Sequence, residues 1–176
     1  MKIGAQDEVF LICLTVAKRN LWLAWVASLS GADFFLAENK ALLWSDNDAD
    51  IKNHLKENGL SVENEISYFD IDDLMRGLRR GSIADPDLAI NVWNMFTDLY
   101  NTFHDEKVAK FCEDIDLNDL YGRLFSLCGA AEIIGLEASR ITSKDMDLLY
   151  EIVGVGVAMV AAHTDNGNRS MEMPSH

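Results

Sequence analysis

The chain has 176 residues, 49% of them hydrophobic and 25% charged. That length supports one full hydrophobic core and is short for two domains, and the composition is that of a folded protein. The formal charge of -14, with a pI near 4.5, sets the surface against nucleic acid and anionic membranes and in favour of basic proteins and cations.

The first residues, MKIGAQDEVF, carry acids ahead of the apolar stretch and no small-residue cleavage site, so they do not read as a signal peptide. VFLICLTV (9–16) and LWLAWVA (21–27) follow, joined by the polar AKRN. ADFFLAE (32–38) leads into the turn residues Asn39 and Lys40, and then into ALLW (41–44). Aromatic and β-branched residues between short polar breaks predict antiparallel strands and hairpins. Only the first run stays open, because at its length periodicity fits a strand and a short buried helix equally.

WSDNDADIKNHLKENG (44–59) has two readings. Asp46, Asp48 and Asp50 sit two apart, and Glu57 falls at the twelfth place from Asp46, which is the acidic skeleton of a calcium-binding loop. Such a loop needs Gly at its sixth place for a sharp turn, and Ile51 stands there. Helix chemistry accounts for the same residues. Ser45 and Asp46 suit an N-cap, acids fill the first turn, Ile51 and Leu55 share a face, and Gly59 suits the position after the end. No metal site is expected.

NEISYFDIDDLMRGLRRG (64–81) reads as the strand ISYF and then a short helix capped by Asp70. Ile71, Leu74, Met75 and Leu78 lie at helical spacing, with Gly81 as the stop. Asp85-Pro86 opens a longer helix, with Asp at the cap and Pro at the first position. Leu88, Val92, Met95, Phe96, Leu99 and Phe103 form its apolar stripe, with Trp93 and Tyr100 beside it. Asn91, Asn94 and Asp98 lie on another side, and the spacing of Asn94 and Asp98 suits a structural pair. VAKFCED (108–114) extends this region or forms a short strand. LNDLYGRLFSLCGAAEIIGLEAS (117–139) begins as a helix with Leu120, Leu124 and Leu127 inward. Thr142 and Asp145 have capping-box spacing and open a last helix reaching about His163, which Gly154 and Gly156 weaken to let another backbone approach. The most apolar run, IVGVGVAMVAA (152–162), is too short to span a bilayer. The expected fold is α+β: N-terminal antiparallel strands and hairpins, then a mainly helical C-terminal half. It forms a single domain over 1–163 with a flexible polar tail over 164–176.

No catalytic motif is visible: there is no Gly-rich phosphate loop, GxSxG, HExxH or CxxC. Cys13, Cys112 and Cys128 are odd in number and widely spaced, which suits free thiols in a reducing compartment and a cytoplasmic location.

INVWNMFTDLYNTF (90–103) and DLYGRLFSLCGAAEI (119–133), with a final helix preceded by acids and YFDIDDL (68–74) upstream, resemble a group of small bacterial cytoplasmic proteins. In that group a helix with Asn, Trp-Asn and Asp leads to a Tyr-x-x-Leu-Phe segment. Proteins of this kind look like immunity proteins of contact-dependent growth inhibition and related toxin systems. The resemblance covers the last two thirds of the chain and implies that Trp93, Asn94, Asp98, Tyr121 and Phe125 determine the fold. SLCGAA stands where the group has a Gly-Asn-Asn-rich loop, so no binding role is carried over for it.

Resemblance and charge together lead to one expectation. The chain binds a cognate basic toxin domain, of nuclease type, and blocks its active or substrate-binding surface. The partner is a protein, not nucleic acid or a membrane, and no catalytic residue or cofactor is needed. The candidate contacts are two acid-rich, base-poor groups: Asp46, Asp48, Asp50, Asp70, Asp72 and Asp73, and Glu113, Asp114, Asp116 and Asp119. The competing expectations are a generic acidic adaptor and a small enzyme using dispersed carboxylates with His104 and Cys112.

Overall fold

Two long strands, β1 (Glu8–Val16) and β2 (Arg19–Ala27), pair antiparallel with Val16 opposite Arg19. The first apolar run is therefore a strand. Its residues serve two cores, which is why it reads as almost continuously hydrophobic. Ile12 and Leu14 join Leu21 and Leu23 on one face, while Val9 and Leu11 join Ala24 and Val26 on the other. The computed structural model describes residues 3–4, 6–29, 31–104, 115–129, 133 and 140–165.

β3 (Phe34–Phe35) and β6 (Trp44–Ser45) also pair antiparallel with β2, and β4 (Ala37–Glu38) with β5 (Ala41–Leu42). Asn39 and Lys40 form the expected turn between the last two, both with left-handed φ, 52° and 67°. One pairing was not anticipated. β7 (Val62–Asp70) lies parallel to β1, with Thr15 opposite Asp70. Parallel neighbours need a crossover, and the chain between β1 and β7 supplies it. The main sheet is thus mixed, in the order β3-β2-β1-β7 with β6 also on β2.

Helix α1 (Asp48–Glu57) covers one face of the sheet with Ile51 and Leu55, both fully buried. Its cap is Asn47, not Ser45 or Asp46 as the sequence suggested. Asn47 Oδ1 accepts the Asp50 amide at 2.9 Å, and Ser45 Oγ accepts the Asn47 amide at 3.2 Å. An Asn side chain reaches the third helical amide as well as Asp does, which is why the boundary moved. Gly59 follows the helix at φ 74°, as expected.

The other face is covered by α2 (Ile71–Arg79), α3 (Pro86–Phe103), α4 (Ile115–Phe125) and α5 (Ser143–Asp165). Asp70 caps α2 and Asp85 caps α3, both as read from sequence. Trp93 is buried and meets Tyr121 of α4 edge to face at 5.6 Å. Leu120 and Leu124 are buried as expected, whereas Leu127 lies beyond the end of α4 and is half-buried. The capping box forms: the Thr142 amide donates to Asp145 Oδ2 at 2.9 Å, and the Asp145 amide to Thr142 Oγ1 at 3.2 Å. Arg123 adds an ion pair to Asp145 Oδ1 at 2.6 Å, tying α4 to the start of α5.

α5 departs from its sequence reading in three ways. A Cβ on Gly156 would collide with the Phe96 ring, so the close approach there is a side chain rather than a backbone; Gly154 meets nothing. The helix runs through Thr164, which is buried, and Asp165, so these residues do not belong to a tail. Finally, Ser143–Thr164 has a mean hydropathy of 1.4 and is long and apolar enough to cross a membrane by length and composition, since the helix extends the apolar run on both sides. Here the helix packs on α2, α3 and β5. The expectations for VAKFCED (108–114) and for 166–176 fall outside the described residues.

Candidate functional site

The first acidic group gathers around the tip of the β1–β2 hairpin. Its two-residue turn, Ala17 and Lys18, has φ of 50° and 61°, the left-handed pair of a type I′ turn. Such turns favour Asn and Gly, and each residue with a Cβ there costs roughly 1 kcal/mol. The Asp72 carboxylate compensates by accepting both turn amides, Ala17 at 2.9 Å and Lys18 at 2.7 Å. Next along, Arg19 pairs with Asp46 at 3.2 Å. The starts of α1 and α2 therefore flank one tip, and the acids of both segments share one end of the sheet.

Most of these carboxylates already have local work. Asp48 pairs with Lys52 at 2.7 Å, and the hydrogen bond from Lys52 holds its carboxyl below the usual range. Asp50 accepts from Asn47 Nδ2 at 2.7 Å, Asp70 accepts the Asp73 amide at 2.8 Å, and Asp73 pairs with Arg76. The group is not base-poor in space, because Lys18, Arg19, Lys52 and Arg76 stand among the acids. Spacing along the chain could not reveal the first two of these, which enter from the hairpin. Asp46, Asp50, Asp70 and Asp73 remain exposed.

Of the second acidic group, one member has a described side chain. Asp119 is exposed on α4. Glu113 and Asp114 lie outside the described residues, as does the side chain of Asp116. Among the described residues, no group of three or more His, Cys, Asp or Glu is placed to hold a metal.

A different feature lies between α3 and the sheet. It is a cleft of about 490 Å³ walled by Ile12, Trp25, Ser67 and Phe69 from the sheet, Asp33 ahead of β3, and the polar line of α3. That line is Asn91, Asn94 and Asp98, spaced three and four apart so that they share a helix face. The sequence shows this line, but not what it meets. Asn94 and Asp98 do not pair. Asn94 Oδ1 accepts Tyr121 Oη at 3.1 Å, and Asp98 Oδ2 accepts Trp25 Nε1 at 3.0 Å across 73 positions of chain. Burial of Asp98 raises its carboxyl to about 6, with Asp33 adding to the rise and the Trp25 bond opposing it. Among the described residues Trp25 is its one side-chain donor. A burial-raised carboxylate in a cleft is a candidate functional group.

Of the two residues named in the competing enzyme reading, His104 is described. His104 ends α3 in the left-handed conformation, φ 53°, with its ring edge-on to Tyr100 at 6.1 Å. Cys112 lies outside the described residues. Cys13 and Cys128 are buried thiols. Burial, then Asp48, pushes Cys13 up; burial, then Asp87 and Asp85, pushes Cys128 up to about 11. Thiols shifted that way carry little thiolate at neutral pH.

Compared with known proteins, the chain matches no family model, no curated protein and no solved structure at a significant level.

Proposed function

We propose that the protein is a cytoplasmic immunity-type inhibitor that binds a basic, nuclease-type toxin domain through the acidic end of its sheet and blocks access to the toxin's substrate. One observation carries the reading: two acid-rich helix starts, distant in sequence, flank a single hairpin tip, in a chain of charge -14. A strongly acidic surface attracts a domain built to hold a polyanion, and steering raises the rate of encounter. The bases among the acids do not block this. Arg19–Asp46 and Arg76–Asp73 are exposed pairs, and exposed pairs contribute only about 0–1 kcal/mol. A partner's Lys or Arg can replace those bases at small cost.

The test uses a candidate basic toxin domain, sought among the genes that neighbour this chain's own. Association is measured at rising salt for the wild type and for Asp46→Lys/Asp50→Lys/Asp73→Lys, which spares Asp70 and Asp72 because they hold the fold. Association is expected to slow as salt rises, since about 0.15 M salt screens beyond roughly 8 Å. The triple reversal should slow it further and restore toxicity. Binding that ignores both salt and the reversal contradicts the acidic-end mechanism.

A further inference from the structure

The cleft beside α3 is separate from the hairpin tip, and its walls have a consistent chemistry. Among the described residues lining it there is no Lys, Arg or His, while Asp33 and Asp98 are both present. Neutral acceptors and donors converge with them: Asn91 and Asn94 from α3, Ser67 from β7 and Thr97. Two aromatic residues, Trp25 and Phe69, complete the wall. At about 490 Å³ the space is far larger than a bare metal ion needs and falls within the range of small-molecule sites. We propose that this cleft binds a guanidinium group, with Asp98 and Asp33 as its anionic partners and Trp25 and Phe69 as its apolar walls.

The chemistry selects among ligands in steps. Anions are excluded by the two carboxylates, which have no cation beside them in the cleft. A neutral ligand would leave Asp98 with one indole donor and a second oxygen uncompensated, in a setting where a lone buried charge is costly. A cation removes that cost. Between the two common organic cations, guanidinium fits better than ammonium. It is planar, weakly hydrated, offers a fork of N–H donors to a carboxylate, and lies well against aromatic rings. Ammonium is compact and strongly hydrated, so it gains less from a half-apolar wall. The polar line of α3 also finds a purpose here. The Asn91 side chain shows no hydrogen bond among the described residues, and it lies on the same helix face as Asp98, where its amide oxygen can accept from the far edge of the guanidinium.

The inference does not depend on the toxin reading, because it concerns a different surface. The guanidinium can belong to a free molecule or to an arginine side chain of a protein, and two probes separate these sources. Agmatine and a capped dipeptide, acetyl-Gly-Arg-amide, are titrated into the ¹⁵N-labelled full chain at 0.15 M salt, with cadaverine as the ammonium comparator. The expected result is saturable shifts of the Trp25 indole N–H and the Asn91 side-chain amide, with a Kd from high micromolar to low millimolar, as suits so small a ligand. Cadaverine should bind about tenfold more weakly or not at all.

Similar binding of agmatine and the dipeptide assigns the site to arginine side chains; binding of agmatine alone assigns it to a free molecule. Two variants guard against general ion pairing on an acidic surface. Asp98→Asn keeps the shape and an acceptor for Trp25, and should weaken binding at least tenfold, the scale of one charge-assisted contact. Asn91→Trp fills the cleft from an exposed position and should abolish binding without unfolding the chain. Glu63→Gln, on β7 outside the cleft, should change nothing. Absence of saturable binding by either guanidinium probe overturns the proposal. So does equal binding by Asp98→Asn and Asn91→Trp with the fold intact.

Discussion

Along α3, Trp93 and Phe96 face the helical layer, whereas Asn91, Asn94 and Asp98 face the cleft. The first side is filled to contact: Trp93 lies against Tyr121, and Phe96 occupies the space a Cβ on Gly156 would need. The second side is polar and open, and it holds a carboxylate raised by burial to about 6. One helix therefore carries a side whose residues are explained by packing and a side whose residues are not. Asp72 sharpens the contrast, because its carboxylate accepts two turn amides and is explained by the fold. Asp98, with one indole donor, is the acid the fold tolerates rather than uses.

The packed side should give the largest effects. Trp93→Ala is expected to cost about 3–5 kcal/mol in denaturant unfolding, the range for large aromatic truncations in cores. A cost within error of zero would mean that α3 presents its other side to the core. Gly156→Ala adds a single methyl where the Phe96 ring already sits, and should destabilise by about 1–3 kcal/mol despite alanine's better helix propensity. A stabilised variant would show that α3 and α5 are not in contact at this point.

The open side should respond with the opposite sign. A carboxyl raised from 3.8 to about 6 binds its proton more tightly folded than unfolded. Its stabilising contribution is therefore complete below pH 4 or so and is lost as pH rises through about 6. Asp98→Asn imitates the protonated group. It should match the wild type near pH 4 and exceed its stability at pH 8 by on the order of 1–2 kcal/mol, once partial exposure is allowed for. A variant less stable than wild type at pH 8 would place Asp98 among the acids that hold the fold.

The smallest of these effects belongs to the turn. Asp72→Ala removes both acceptors from Ala17 and Lys18 and should cost about 1 kcal/mol, the size of a typical net hydrogen-bond loss. Adding Lys18→Gly, which relieves one left-handed residue, should recover part of it. Equal stability of Asp72→Ala and wild type would mean that the turn does not rely on that carboxylate.

Local chemistry made much of the fold legible. Asp85-Pro86, the Thr142–Asp145 box and the stripe through Leu88, Val92 and Leu99 each act within a few residues, so composition and spacing expose them. The antiparallel strands were legible for the same reason. The parallel pairing of β7 with β1 was not, because nothing local to ISYF distinguishes the direction of its neighbour. The candidate site was legible only in part. Asn91, Asn94 and Asp98 were visible as a polar line, but the Trp25 bond that defines Asp98 spans 73 positions. The acids of the hairpin end were visible as charge, while their use by Asn47, Ala17 and Lys18 depends on turns that bring distant segments together.

Asp98 lies on the open side of α3 as a burial-raised carboxylate, in contrast to the packing that explains the helix's other side. The most direct measurement is a ¹³C NMR titration of the aspartate carboxyls, with the Asp98 signal assigned by its loss in Asp98→Asn. A midpoint at about 6 is the predicted result. A midpoint near 4, the ordinary value for an aspartate, would contradict it.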